Sequence, residues 1–162
     1  HEELDLGWRA RIFGYRSYYV PQTIIHHHGS AHWKWSPQVF YLLERNRWLV
    51  LLKNYSLPTL LKLWPSLIII EFSMLGFFAT KGLLLKKLKS YGSILSLFGH
   101  ILRQRKIIHN KRKINDIEIM RSFCGTIKIP SEANDSKLNN KFEKLLSSLC
   151  KFSGYDKIVR EP

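Results

Sequence analysis

The stretch LWPSLIIIEFSMLGFFAT, residues 63–80, carries a single charge, Glu71. A run this apolar is a helix crossing a bilayer, a helix lying in its interface, or the core of a soluble helical subdomain. As a helix it measures about 27 Å, just short of the ~30 Å hydrocarbon core. Charge placement argues against a single span. The basic flank comes after the run, at Lys81, Lys86, Lys87 and Lys89. Positive flanks stay in the cytoplasm, so everything before the run would face outside. A hairpin with the second apolar run, residues 91–102, exports those lysines, and that run is too short. Pro65 and Glu71 suit a bent helix in the interface. The expectation is monotopic attachment to the cytoplasmic face of the cell membrane, with lysines and arginines on anionic headgroups.

The rest of the composition is consistent with that reading. The chain has 162 residues, 45% of them apolar and 13% aromatic, which excludes global disorder. Its formal charge of +14 calls for an anionic partner. Every charged residue from Lys81 to Lys113 is positive. Cys124 and Cys150 lack metal-type spacing and read as free thiols of a reducing compartment. No secretory signal is visible.

The N-terminal third reads differently. Residues 3–13 form a helix with Leu4, Trp8 and Ile12 as its apolar stripe. Asp5 can pair with Arg9, and Gly14 stops the helix. Residues 17–20 and 23–26 read as two short strands. Ser36 and Pro37 start a long helix as N-cap and first-turn residue. That helix runs to about Asn54, with Val39, Leu42, Leu43, Asn46, Leu49 and Val50 near one face.

Three stretches of residues 1–55 then stand in a telling order: HEELDLGWRARIFGYR, YVPQTIIHHHGSA and LLERNRW. Together they resemble the C-terminal part of a family 2 glycosyltransferase catalytic domain of GT-A fold. The first is similar to the acidic motif followed by Arg and Gly-Tyr. The second is similar to the Pro–strand–His-x-Gly-Ser segment. The third is similar to the Arg-Asn helix of non-processive members and to the Gln-x-x-Arg-Trp motif of processive ones, with Glu44 in place of Gln.

The resemblance implies a fold and a chemistry. The fold is α/β, an incomplete GT-A domain: the C-terminal portion of a Rossmann-like nucleotide-sugar transferase over residues 1–55. An α-helical, membrane-associated region follows over 56–113, then a mixed polar tail over 114–162. The nucleotide-binding half is expected upstream, so this segment alone is expected to be inactive. The implied reaction moves a sugar from a nucleotide-sugar donor to a polysaccharide or lipid-linked acceptor with inversion. A carboxylate takes the acceptor proton. Glu3 occupies that position, where the family has Asp, with Glu2 and Asp5 beside it. A divalent cation, Mg²⁺ or Mn²⁺, offsets the diphosphate charge, and His27 matches the family's metal-or-diphosphate histidine. Arg45 and Arg47 are candidates for phosphate contacts, and Trp48 for stacking on acceptor sugar. Because Arg45 and Arg47 are two apart, they point to different sides of their helix.

Plainer readings stand beside this one. Acids at a helix N-terminus complement its dipole without any catalysis. His26, His27 and His28 lack the spacing of a zinc site. The whole chain can also be read as a basic membrane- or nucleic-acid-binding protein without activity. Its basic residues alternate with long apolar runs, which suits a bilayer better than a phosphate groove, so no nucleic acid is expected.

Overall fold

The computed structural model describes residues 1–26, 36–123, 144–145, 147–149, 151–152 and 154. Its helices are α1 (Glu2–Ile12), α2 (Pro37–Asn54), α3 (Leu57–Thr80), α4 (Leu84–Ser96), α5 (Phe98–Asn110) and α6 (Asp116–Met120). No strand occurs among the described residues, so the expected α/β, incomplete GT-A unit is corrected to an all-helical assembly. The expected strands at 17–20 and 23–26 are irregular. There the Thr23 N–H donates to the Val20 carbonyl at 3.2 Å, closing a turn over Pro21. Tyr19 is 89% and Ile25 82% exposed. β-branched and aromatic residues fit a pleated surface, and that surface exists only where another strand pairs with it. No described segment offers such an edge.

The helix signals, by contrast, are local and hold. Ser36 Oγ accepts the Val39 N–H at 3.3 Å, and Pro37 fills the first turn of α2. Gly14 takes φ +87° just past α1, and its N–H donates to the Arg11 carbonyl. Asp5 and Arg9 pair at 3.1 Å. Helix α3 begins at Leu57, earlier than the apolar run suggests, because Ser56 caps it and Pro58 lies in its first turn. It spans roughly 36 Å. The second apolar run is divided at Leu97 between α4 and α5.

Helix α2 is the hub. It packs on α4, α5 and α1, while α6 packs on α1 and α3 on α4. One core gathers Trp8 and Ile12 of α1, Val50 of α2, Leu60 and Leu67 of α3, Ile108 of α5, and Ile119 and Met120 of α6. The Trp8 ring meets Tyr55 edge-on at 4.5 Å and Phe123 at 5.4 Å. The buried stripe of α1 is Asp5, Trp8 and Ile12, with Leu4 half exposed. On α2, Val50 is buried as expected, but Leu42, Leu43 and Leu49 are only half-buried. Tyr41, Glu44 and Asn54 take the inner face instead. From the tail, Leu149 is buried, and its carbonyl accepts a hydrogen bond from Ser66.

Polar contacts fix the helix ends. Asp5 accepts from Lys53 Nζ and Asn54 Nδ2, both at 2.9 Å, which ties α1 to the last turn of α2. Burial pushes the Asp5 carboxyl up, but those hydrogen bonds and the charges of Lys53 and Arg9 hold it below the usual carboxylate range. The last carbonyls of α2 have no partner inside the helix. Arg105 donates to the Leu52 and Tyr55 carbonyls at 2.6 and 2.7 Å. Arg112 donates to the Asn54 carbonyl and to Asp116. Asp116 also accepts the Ser56 N–H at 2.8 Å, which locks the turn between α2 and α3.

Two outcomes follow. Asp5→Asn removes the charge that Lys53 and Arg9 face and should cost about 2–3 kcal/mol in urea unfolding. His109 is pushed below its ordinary value by burial and by the charges of Arg112 and Arg105. The folded form therefore resists a proton that the unfolded chain accepts near pH ~6.5. The stability tied to His109 is complete above that value and is lost as pH falls toward the lower folded value. The Tm should drop between about pH 7 and about pH 5, and His109→Gln should flatten that step.

Candidate functional site

Two features of the surface and one of the interior bear on function. The interior feature lies between α2, α3 and α4. Glu44 and Arg47 project from one side of α2, three residues apart, and their side chains meet at 2.9 Å. Glu71 comes from the middle of α3 and Lys87 from the first turn of α4. Lys87 pairs with both Glu44 and Glu71, and Arg47 pairs with Glu71 as well. Glu71 further accepts hydrogen bonds from Trp48 Nε1, at 3.2 Å, and from the Tyr91 hydroxyl. Lys87 is 0% exposed and sits 5.0 Å from the Tyr91 ring centre.

Two carboxylates face two cations, so the cluster is neutral as a whole. Burial alone would raise the Glu71 carboxyl. The hydrogen bonds from Lys87, Tyr91 and Arg47, together with the Arg47 charge, bring it below its ordinary value. The same environment pushes the Tyr91 phenol well up, through burial and then the bond to Glu71, so Tyr91 stays a donor.

The first surface feature is the head of α1. Glu2 and Glu3 are exposed, whereas Asp5 is committed to α2. Glu3, Gly7 and Arg11 recur every four residues along one face. They line an open cleft of about 470 Å³ with Leu4, Trp8 and Ser17. A second cleft of about 370 Å³ begins at Arg11 and continues to Tyr15 and Arg16. Gly7 leaves that face unobstructed, since nothing lies within 4 Å of where its Cβ would stand. A carboxylate and a guanidinium thus flank one groove.

The other expected site residues do not converge there. Asp5 meets α2 at Lys53 and Asn54, while Arg45, Arg47 and Trp48 lie roughly 8–12 Å back along the helix. Arg47 and Trp48 are held in the interior cluster by Glu44 and Glu71. Arg45 is half-buried, donates to Asn46 Oδ1 at 3.0 and 3.1 Å, and stacks over Tyr41. His27 lies outside the described residues. Among the described residues no three His, Cys, Asp or Glu side chains gather as ligands for the implied divalent cation.

Sequence reasoning missed Arg11, Lys87, Tyr91, Arg105, Arg112 and Asp116. A signal for Lys87 and Tyr91 was present: a lone acid in an apolar helix requires partners, and the next helix offers a cation and a phenol four apart.

The second surface feature is the outer face of α3. Leu57, Leu61, Trp64, Ile68 and Phe72 follow the spacing of one helical face and are all exposed, Leu61 by 66% and Phe72 by 70%. The adjoining side of the helix, with Leu60, Leu67 and Phe78, is buried, as is Ser66 further round. Leu85, Leu88 and Leu95 are likewise exposed on α4. The helix is long and apolar enough to cross a membrane.

Comparison with protein-family models, with curated proteins and with solved structures finds no match.

Breaking the interior cluster at one member should be costly. Lys87→Met leaves two buried carboxylates with one cation and should lower stability by about 3–5 kcal/mol. The double variant Glu44→Gln with Lys87→Met restores neutrality and should cost less than the single one. Urea unfolding of both variants measures the difference.

Proposed function

We propose that the chain is the C-terminal, membrane-docked part of an inverting glycosyltransferase that moves a sugar from a nucleotide-sugar donor to a polysaccharide or lipid-linked acceptor. The motif order described above motivates the reading. The observation that carries it is the division of labour at the head of α1. Asp5 is bound into α2 by Lys53 and Asn54, and this rigid seat leaves Glu3 open on a cleft that also holds Arg11. A base for an acceptor hydroxyl needs this combination of a fixed backbone and an accessible carboxylate. Glu3 then takes the acceptor proton as the hydroxyl attacks the anomeric carbon. The nucleotide diphosphate leaves from the opposite side. Arg11, two turns along the same face, suits an anionic portion of the acceptor. His27, the expected ligand of the implied cation, lies outside the described residues, so no step is assigned to the cation.

The membrane enters through α3, whose exposed arc is apolar along its length. With a nucleotide-sugar donor drawn from the cytoplasm, the reading assigns the docking face to the cytoplasmic leaflet. The same arc favours a second reading, a basic membrane-binding protein without activity.

Glu3 separates the two. In the full-length gene product, Glu3→Gln should lower transfer by about 100-fold or more while donor binding survives. Unchanged transfer removes Glu3 as the base. The 162-residue chain alone should show no nucleotide-sugar hydrolysis, and robust turnover would overturn the assignment of donor chemistry to another segment.

A further inference from the structure

The longest apolar helix carries its only acid near its midpoint, and that acid is held by four side chains from two neighbouring helices. Glu71 pairs with Arg47 of α2 and with Lys87 of α4, and it accepts from Trp48 and Tyr91. We propose that this cluster is a topological lock. It holds α3 flat on one leaflet of an anionic bilayer, with the Leu57, Leu61, Trp64, Ile68 and Phe72 arc in the acyl boundary, and prevents α3 from crossing. The inference rests on the membrane-docked part of the reading above and is independent of catalysis by Glu3.

Three observations identify the occupant as an anionic bilayer. First, the exposed arc is apolar from the first turn of α3 onward, and α4 adds Leu85, Leu88 and Leu95. An apolar face of that length suits a leaflet more than a phosphate-lined groove. Second, Glu71 is the only acidic residue between residues 57 and 115, and it is turned inward. The outer surface of α3, α4 and α5 therefore carries no carboxylate to repel an anionic headgroup, while Lys81, Lys89, Arg103 and Lys106 are exposed on it. Third, α3 exceeds the length a span requires, so length does not hold it at the surface. Something else must, and Glu71 is placed to do it.

Crossing would carry Glu71 into hydrocarbon, where a carboxylate is strongly disfavoured. It would also leave Arg47 and Lys87 with Glu44 alone. Lys87 is fully buried, so it cannot turn to water without parting α2 from α4. The cluster therefore links the position of α3 to the integrity of the α2–α4 contact. It also fixes which face is presented, since the buried arc with Leu67 and Phe78 lies on the side held by the cluster.

The test uses the full chain with an epitope tag at each end, synthesised cell-free beside preformed phosphatidylcholine–phosphatidylglycerol vesicles. Floated vesicles are then treated with external protease. The unaltered chain should float and lose both tags. Glu71→Leu should float and keep one tag, protected inside the vesicle. The charge-balanced double variant, Glu71→Leu with Lys87→Leu, leaves Glu44 paired with Arg47 and should also keep one tag, which guards against a misfolded single variant. An unaltered chain that keeps one tag overturns the lock, because α3 then crosses with the cluster intact. Loss of both tags from both variants overturns it too, while leaving membrane docking in place. An unaltered chain that fails to float removes the bilayer as the occupant, without touching the assignment of Glu3.

Discussion

A charged residue inside an apolar helix must find its opposite charge or leave the protein interior. Glu71 finds two, and the arrangement of the helices follows from that requirement. Hydrophobic burial does little to place the outer half of α3, because so much of its apolar surface remains exposed. The ion pairs to Arg47 and Lys87 give this helix a defined rotation and depth, supported by Phe78 against Phe40 at 5.8 Å. Such clusters are weak contributors to net stability compared with apolar packing of the same volume. Their use is directional: a nonspecific apolar contact permits many rotations of α3, and four paired charges permit few.

Pairing inside the fold also changes the meaning of the formal charge of +14. Lys53, Arg47, Lys87, Arg105 and Arg112 are held inside by carboxylates or helix carbonyls. They join helices and are not available to a partner. Arg105 and Arg112 act at the C-terminal end of α2, where unpaired carbonyls and the negative end of the dipole attract cations. The positive surface that remains is smaller than composition suggests, but it is purer, since the acids nearest to it are turned inward.

What was legible in the sequence was local. The N-cap at Ser36 with Pro37 behind it, the stop at Gly14 and the Asp5–Arg9 pair all depend on residues within a turn of each other. The apolar run of α3 was also plain, although its start at Ser56 was not. The two strands failed because a strand is a property of a pair, and Tyr18, Tyr19, Ile24 and Ile25 are exposed with no strand beside them among the described residues. The inner face of α2 failed because periodicity counts apolar residues, while this face is built on Tyr41, Glu44 and Asn54. At the candidate site, the exposed acids of α1 were visible in advance. The capture of Arg47 and Trp48 by Glu71 was not, because it joins residues more than twenty positions apart.

These contacts also bear on how the proposed base and the proposed bilayer surface would be held in register. Helix α1 is joined to the last turn of α2 by Asp5, and α3 leaves that turn through Tyr55 and Ser56. Both of those residues are held, Tyr55 through its carbonyl by Arg105 and Ser56 through its N–H by Asp116. The Trp8 ring closes the corner from the other side by packing on Tyr55. Among the described residues, contacts alone join Asp5 to Leu57 through the end of α2, so a force that sets the pose of α3 on a surface also acts on the pose of α1. Under the proposed function, Glu3 would be carried at a height above the leaflet fixed by the helices themselves, as an acceptor anchored in the same leaflet would require.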